Sequence, residues 1–283
     1  MLTESFSALA ANYDVVLSDV WGVTHNGVTA TPEACEALAR FRAAGGTVIL
    51  ITNAPRPGVA VSRQLDHFRV PREAYDGIAS SGDVTCRIMA DRPGQTVFHL
   101  GPARDLPIFA QLDVRFAPVE DADYVVCTGL FNDDHETAES YRDMLEVMRG
   151  RSLYMLCGNP DIVVERGDRL VYCAGAIADL YARMGGEVVY AGKPYRPIYD
   201  MAVREAEAVR GRPVAHARVL AIGDSVRTDL KGAAAYGIDC LFITAGIHAH
   251  ELGGRDKPEH AALEKIFAEA GVVPKAVMRQ LAW

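Results

Sequence analysis

Short apolar runs alternate with segments of helical periodicity over much of the chain. Runs rich in β-branched residues predict strands at YDVVLSD (13–19), TVILITN (47–53), EVVYAGK (187–193), RVLAIGD (218–224) and CLFITAG (240–246). The first helical segment, at 31–46, offers Thr31 as an N-cap and ends at a pair of glycines. Strands that alternate with helices through short connections predict an α/β fold with a doubly wound parallel sheet.

A middle region separates the two halves of this pattern and has strands and helices of its own. Strand-like runs occur at TVFHLG, ADYVVCTG and SLYMLCG, separated by the helical segments ARDLPIFAQL and ETAESYRDMLEVMRG. A length of roughly a hundred residues suits a separate domain. We therefore predict a core in two parts, 1–82 and 188–283, and an inserted α/β domain over 83–187.

The amino-acid composition indicates a globular protein and favours a small molecule as its partner. The 283 residues carry a formal charge of −8 and are 49% hydrophobic, which suits a globular protein with a substantial core. No cluster of Lys and Arg forms the basic stripe typical of nucleic-acid binding, so a small-molecule partner is expected. The start of the chain lacks the pattern of a secretory signal, and no apolar run approaches the ~20 residues of a membrane span. We predict a cytoplasmic protein with neither a nucleic-acid nor a membrane partner and with six reduced cysteines.

Polar residues that can carry chemistry lie in segments that end the predicted strands. They are Asp19 in LSDVWG, Thr52 and Asn53 in VILITNAP, Lys193 in VVYAGKP, and Asp224 with Asp229 in VLAIGDSVRTD. The carboxyl ends of strands in a doubly wound sheet converge on one crevice, so residues far apart in sequence can form one site. Such a site suits phosphoryl transfer, in which Asp19 would attack phosphorus and, with Asp224, hold Mg²⁺. Lys193 and the Thr52 hydroxyl would neutralise the phosphoryl oxygens.

The order and spacing of these motifs resemble those of the haloacid dehalogenase-like superfamily, specifically its 4-nitrophenylphosphatase-like branch with a class IIA α/β cap. The resemblance implies a Rossmann-like core with 83–187 as the cap. It also implies a magnesium-dependent phosphohydrolase that forms an aspartyl-phosphate intermediate from a small phosphorylated metabolite. The implied roles are Asp19 as nucleophile, Thr52 as phosphate ligand, Lys193 as the lysine of the third motif, Asp224 as metal ligand and Asp229 as a support of the metal ligands.

Three further residues are candidates for substrate binding. The stretch GNPDIV at 158–163 resembles the cap segment that approaches the substrate in this branch, which makes Asn159 and Asp161 candidates. The same two residues suit an Asx-type turn around Pro160, and the two interpretations stand equal. Asn53 is the third candidate, although an asparagine after a strand also forms turns or orients its neighbours.

Trp21 departs from the phosphatase pattern at a catalytic position. In phosphatases of this superfamily a second Asp usually lies two residues after the nucleophile, where it protonates the leaving group and later activates water. An indole does neither, although the backbone carbonyl of Trp21 is retained as a metal ligand. We therefore expect weak activity or activity restricted to good leaving groups, with His25 as the first candidate for the missing proton transfer.

Two alternatives stay open. One is a metal-independent dehalogenase-like hydrolase, because the dehalogenases carry an aromatic residue at the position of Trp21. The other is a phosphate-binding or sensing protein with little catalysis. The doubled acidic motif GDSVRTD favours magnesium-dependent phosphoryl transfer. The sequence leaves the natural substrate undetermined and a homodimer open.

Overall fold

The structure, a computed structural model, describes residues 3, 5–166 and 169–283. Along these residues the strands are β1 (Val15–Asp19), β2 (Thr47–Thr52), β3 (Gly77–Ser80), β4 (Thr96–Leu100), β5 (Arg115–Phe116), β6 (Tyr124–Cys127), β7 (Met155–Cys157), β8 (Val163–Arg166), β9 (Arg169–Tyr172), β10 (Val188–Tyr190), β11 (Val219–Gly223), β12 (Asp239–Ile243) and β13 (Ala276–Met278). The α-helices are α1 (Ser7–Ala10), α2 (Pro32–Ala43), α3 (Gly58–His67), α4 (Ser81–Ala90), α5 (Arg142–Gly150), α6 (Ala174–Arg183), α7 (Arg196–Arg210), α8 (Lys231–Tyr236) and α9 (His260–Ala270).

The first of two compact units contains the described part of Met1–Thr52 together with Ser62–Ala79 and Ile198–Trp283. Among the described residues, six strands form its sheet in the order β13-β12-β11-β1-β2-β3. Every residue of β1, β2 and β11 is buried, as expected for parallel strands that are covered on both faces. Strand β1 pairs in parallel with both β11 and β2, so the strand order reverses there. Doubly wound sheets bind their ligands at such a switch point.

Helix α2 follows the predicted N-cap, but the cap itself differs from the prediction. Thr31 occupies the N-cap position, and its side chain makes no capping hydrogen bond. Its backbone N–H donates instead to the carbonyl of Thr24, at 2.8 Å. Pro32 begins the helix, where its fixed φ angle suits the first turn and its missing N–H leaves no donor to satisfy.

The second unit contains Asn53–Val61 and Ser80–Pro197. Five strands of the described chain form a parallel sheet in the order β10-β7-β6-β4-β5, and β8 pairs with β9 in a separate antiparallel hairpin. Residues of β4, β6 and β7 share a buried apolar cluster with residues of α5 and α6. This unit takes in the predicted insert, 83–187, and extends beyond both of its ends. The boundaries of a cap at those two positions stay predictions.

One predicted helix of the second unit has a different form. The segment ARDLPIFAQL forms 3₁₀ turns over Ala103–Phe109. Pro107 lies inside that segment and has no backbone N–H, so a regular α-helical ladder cannot run through it. The three strand-like runs of the same region form β4, β6 and β7 as predicted.

The predicted α/β class, with parallel sheets flanked by helices, is confirmed. None of the six cysteines, all of which lie in the described ranges, forms a disulfide bond, and five of them are buried. Within the described ranges, none of the helices has both the length and the apolar character needed to cross a membrane.

Candidate active site

Three carboxylates meet at the carboxyl edge of the first unit's sheet. Asp19 ends β1, and Asp224 follows the last residue of the neighbouring β11. Asp229 lies one turn further, in a π-helical turn over Val226–Leu230 that leads into α8. One oxygen from each of the three carboxylates lies within 4.8 Å of the others. The three residues are only 7%, 5% and 3% exposed, in chain order.

Backbone groups hold two of these carboxylates in place. Asp224 Oδ2 accepts a hydrogen bond from the N–H of Ile247 at 2.8 Å, and Asp229 Oδ2 accepts one from the N–H of Ser225 at 3.1 Å. Gly22 and Gly246 flank Asp224, and a Cβ on either glycine would overlap its carboxylate. The absence of two side chains therefore makes the space that the Asp224 carboxylate occupies.

The chemistry of this donor set fits a hard divalent cation. Three buried carboxylates at such short separations repel one another unless protons or a cation neutralise them. The ligand atoms are all oxygens, which suits Mg²⁺ or a related cation and not a soft metal. The cluster is thus a candidate metal centre on chemical grounds.

Thr52 lies at the same sheet edge. Asp19 lies beside Ile51 of β2 in parallel register, and Thr52 is the next and last residue of that strand. Its side chain is buried, at 6% exposure. Thr52 therefore ends the strand β2, which pairs with the strand that ends in Asp19, the candidate nucleophile.

Trp21 belongs to the loop that leaves β1 and is partly buried. The imidazole of His25 packs against its indole, with ring centroids 5.2 Å apart and planes at 68°. Gly27, at φ 84°, packs on the same indole, and a Cβ there would overlap the ring. The indole Nε1–H is buried and meets no acceptor among the described residues. Trp21 is therefore held by its own loop through His25 and Gly27.

His25 is a buried, neutral ring. It is 2% exposed and packs on Phe68 with ring centroids 4.7 Å apart. Its Nδ1 accepts the backbone N–H of Gly27 at 2.9 Å, so the ring proton is on Nε2. Burial lowers the pKa of His25 to about 4. This environment is a poor one for the general acid that the sequence suggested, because a proton source near neutral pH needs a pKa close to 7.

The second unit gathers the remaining candidate residues. Lys193 is buried, and its backbone N–H and C=O both bond to the side chain of Asn53. Asn53 also donates to Asp161 Oδ1 at 2.9 Å. Asn159 Oδ1 accepts the N–H of Asp161 at 3.1 Å, which is the Asx-type turn around Pro160 that the sequence left as one of two interpretations.

Sequence reasoning missed the loop that follows β12. It supplies Gly246 and the N–H of Ile247, which shape and bind the Asp224 carboxylate. His248, from the same loop, accepts the N–H of Val226 at the start of the π-helical turn. The only signal was a glycine shortly after an apolar strand, in CLFITAG, and that pattern also describes an ordinary turn.

Comparisons with known proteins identify the family. A model described as haloacid dehalogenase-like hydrolase matches residues 16–115, and a HAD-hydrolase-like model matches residues 190–270. A crystal structure of a hydrolase of the haloacid dehalogenase-like family from Brucella suis 1330 is 44% identical to this chain. It covers 99% of this chain and 100% of its own, with a TM-score of 0.89. The chain belongs to the haloacid dehalogenase-like hydrolase family. This confirms the resemblance found in the motifs.

More distant relatives of this haloacid dehalogenase-like hydrolase include proteins named as phosphatases. A glycerol-3-phosphate phosphatase from Gallus gallus is 26% identical over 271 residues, which is 88% of this chain and 85% of that protein. The fold also matches that of a p-nitrophenyl phosphatase from Archaeoglobus fulgidus, with a TM-score of 0.72 and 21% identity over 95% of this chain and 97% of the other.

Proposed function

We propose that this hydrolase is a magnesium-dependent phosphohydrolase that acts on a small phosphorylated metabolite. The observation that carries the proposal is the buried cluster of Asp19, Asp224 and Asp229 at the switch point of the sheet. The cluster joins a carboxylate nucleophile to an all-oxygen cation site. Relatives named as phosphatases, among them the Gallus gallus protein, support a phosphate ester as the substrate class.

In this proposal Asp19 attacks phosphorus with one carboxylate oxygen, and the bond to the leaving oxygen breaks. The product of this step is an aspartyl-phosphate on Asp19, which water then hydrolyses. Mg²⁺, held by Asp19, Asp224 and the Trp21 carbonyl with Asp229 in support, would supply charge that offsets the phosphoryl oxygens. Thr52, buried at the end of β2, would donate its hydroxyl to one of those oxygens.

The motifs of the second unit give the proposed substrate-binding residues. Lys193 is proposed to add positive charge for the phosphoryl group. Contacts of Asn53, Asn159 and Asp161 with substrate stay predictions from the motifs TN and GNPD.

Trp21 limits which substrates would react well. Its indole neither releases nor accepts a proton near neutral pH, and His25 beside it is neutral and buried. Loss of a general acid costs about 10²–10⁴ in rate, and least when the leaving group is already acidic. The proposed substrates are therefore phosphorylated compounds with good leaving groups, such as aryl phosphate esters or acyl phosphates.

One panel separates this proposal from the two alternatives. Purified protein is assayed with aryl, acyl and alkyl phosphates, with added Mg²⁺ and again after chelation, and with 2-haloacids in a halide assay. We expect phosphate release that requires the metal and declines from aryl to alkyl esters. Halide release that survives chelation would establish a dehalogenase instead, and phosphate binding without turnover would establish a binding protein.

A further inference from the structure

The carboxamide of Asn53 joins two other segments of the second unit. Asn53 Nδ2 donates to Asp161 Oδ1 at 2.9 Å and to the carbonyl of Lys193 at 3.1 Å. Asn53 Oδ1 accepts the backbone N–H of Lys193 at 2.7 Å. Both amide hydrogens are thus engaged. We call Asn53, Asp161 and Lys193, with these three bonds, the Asn53 clasp.

The clasp has one orientation. If the amide of Asn53 were flipped, its NH₂ would face the N–H of Lys193 and its oxygen would face a carbonyl and a carboxylate. Asn53 is 3% exposed, which makes unpaired donors and acceptors costly. Gly192 and Pro160 close around the carboxamide, since a Cβ on Gly192 would overlap Asn53 Oδ1 and come within 2.8 Å of Pro160 Cδ. The packing and the hydrogen bonds select the same geometry.

The partners of Asn53 are distant in sequence, which distinguishes it from a turn residue. An asparagine in a turn bonds to backbone two or three residues away. Asn53 bonds instead to residues 108 and 140 positions along the chain. It links the segment that carries GNPD to the segment that carries Lys193.

We infer that Asn53 is a positioning residue, which fixes the backbone of Lys193 and the carboxylate of Asp161 relative to each other. The inference rests on the proposed function, in which Lys193 serves the phosphoryl group. Because both the N–H and the C=O of Lys193 are hydrogen-bonded, its backbone cannot rotate freely. The side chain that carries the ammonium of Lys193 therefore extends from a fixed backbone position. Asn53 then acts on phosphate through Lys193.

Asn53→Asp tests this role, because it keeps the shape of the side chain and the acceptor for the Lys193 N–H. It removes the bond to the Lys193 carbonyl and sets two carboxylates against each other at the position of Asp161. We expect kcat/KM with p-nitrophenyl phosphate and the affinity for inorganic phosphate, measured by calorimetry, each to fall by about tenfold or more. Asn12→Asp, a change of the same kind at an exposed position, is the matched control.

A double-mutant cycle with Lys193→Met shows whether Asn53 acts through Lys193. If it does, Asn53→Asp changes phosphate affinity by less than about twofold once the ammonium has been removed. A merely structural or through-space effect would persist in both backgrounds, and equal effects overturn the inference. Should Asn53→Asp fail to fold in a thermal melt, Asn53→Ser enters the same cycle.

Exchange of the two polar partners gives a second test. In Asn53→Asp combined with Asp161→Asn, the new amide at 161 can donate to the new carboxylate at 53, while the bond to the Lys193 carbonyl stays lost. We expect partial recovery of kcat/KM relative to Asn53→Asp alone, and no recovery contradicts the clasp.

Wild-type protein that neither hydrolyses p-nitrophenyl phosphate nor binds phosphate would refute the proposed function and this role with it. Active wild type with independent mutational effects would refute only the role of Asn53.

Discussion

The imidazole of His25 meets the indole of Trp21 nearly edge-on, with ring centroids 5.2 Å apart and an interplanar angle of 68°. The imidazole is itself fixed by the N–H of Gly27, which bonds to its Nδ1. The aromatic residue two positions after Asp19 therefore packs against a buried, neutral imidazole. The departure from the phosphatase pattern is built into the loop, and its chemical consequences can be measured.

Trp21→Asp should change how the rate depends on the leaving group. The substitution introduces a titratable group two residues after Asp19, so alkyl phosphates, which need protonation most, should gain most in kcat/KM. Aryl phosphates should gain little. The measurement is kcat/KM across esters of graded leaving-group pKa, with Trp21→Phe as the control that keeps an aromatic ring. A thermal melt accompanies it, because loss of a packed indole costs about 3 kcal/mol when the site is well buried. An unchanged slope in a folded Trp21→Asp protein would mean that another residue already transfers the proton.

His25 should contribute to stability and not to the pH profile of catalysis. Burial favours the neutral imidazole and lowers the pKa of His25 from 6.5 to about 4. Its contribution is complete above pH 6.5 and is lost as the pH falls toward 4. Between about pH 7 and pH 5 this loss amounts to about 2 kcal/mol of unfolding free energy.

His25→Gln should therefore lose less stability than wild type over that interval, as measured by urea unfolding at the two pH values. His260→Gln, at an exposed histidine, is the control and should behave as wild type. The kcat/KM profile of His25→Gln near neutral pH should keep the shape of the wild-type profile. A lost ionisation in that profile would show that His25 transfers a proton after all.

Asp19→Asn should abolish turnover, because an amide oxygen is a poor nucleophile and cannot form the acyl phosphate. Phosphate affinity should fall less than turnover, or rise, since a negative charge is removed. Rapid-quench labelling with a phosphorylated substrate should trap phosphate on wild type only. Equal labelling of the mutant protein would assign the nucleophile to another residue.

Asp224→Asn should weaken Mg²⁺ binding, because it removes a charge from a buried set of carboxylates that lie within 4.8 Å of one another. We expect a loss of at least about tenfold in affinity by calorimetry. Asp256→Asn removes an equal charge from a fully exposed side chain and should leave the affinity unchanged. Identical titrations for wild type and Asp224→Asn would place the metal elsewhere.

The carboxylate cluster was accessible from sequence because a general rule governs it. Parallel strands end at one edge, and Asp19 and Asp224 each stand at the end of an apolar run. The environment of His25 was not accessible, because burial by Phe68 depends on packing between segments about forty positions apart. The hydrogen-bond partners of Asn53 could not be predicted for the same reason, because a side-chain bond between distant segments leaves no periodic signal in the sequence.

Irregular helical turns were the second feature that the sequence pattern could not predict. The pattern at Ala103–Phe109 has helical periodicity, yet Pro107 converts it to 3₁₀ turns. The π-helical turn over Val226–Leu230 places Asp229 beside Asp224, and hydrophobic periodicity does not distinguish such a turn from an ordinary helix start.

Gly22 and Gly246 contribute no functional group, yet each leaves the space in which the Asp224 carboxylate lies. A saturation mutagenesis screen scored on activity would rank both positions with the acidic residues, and even alanine would be rejected there. Any redesign of this scaffold for new chemistry meets the same restriction, because neither glycine can receive a side chain while the Asp224 carboxylate keeps its place.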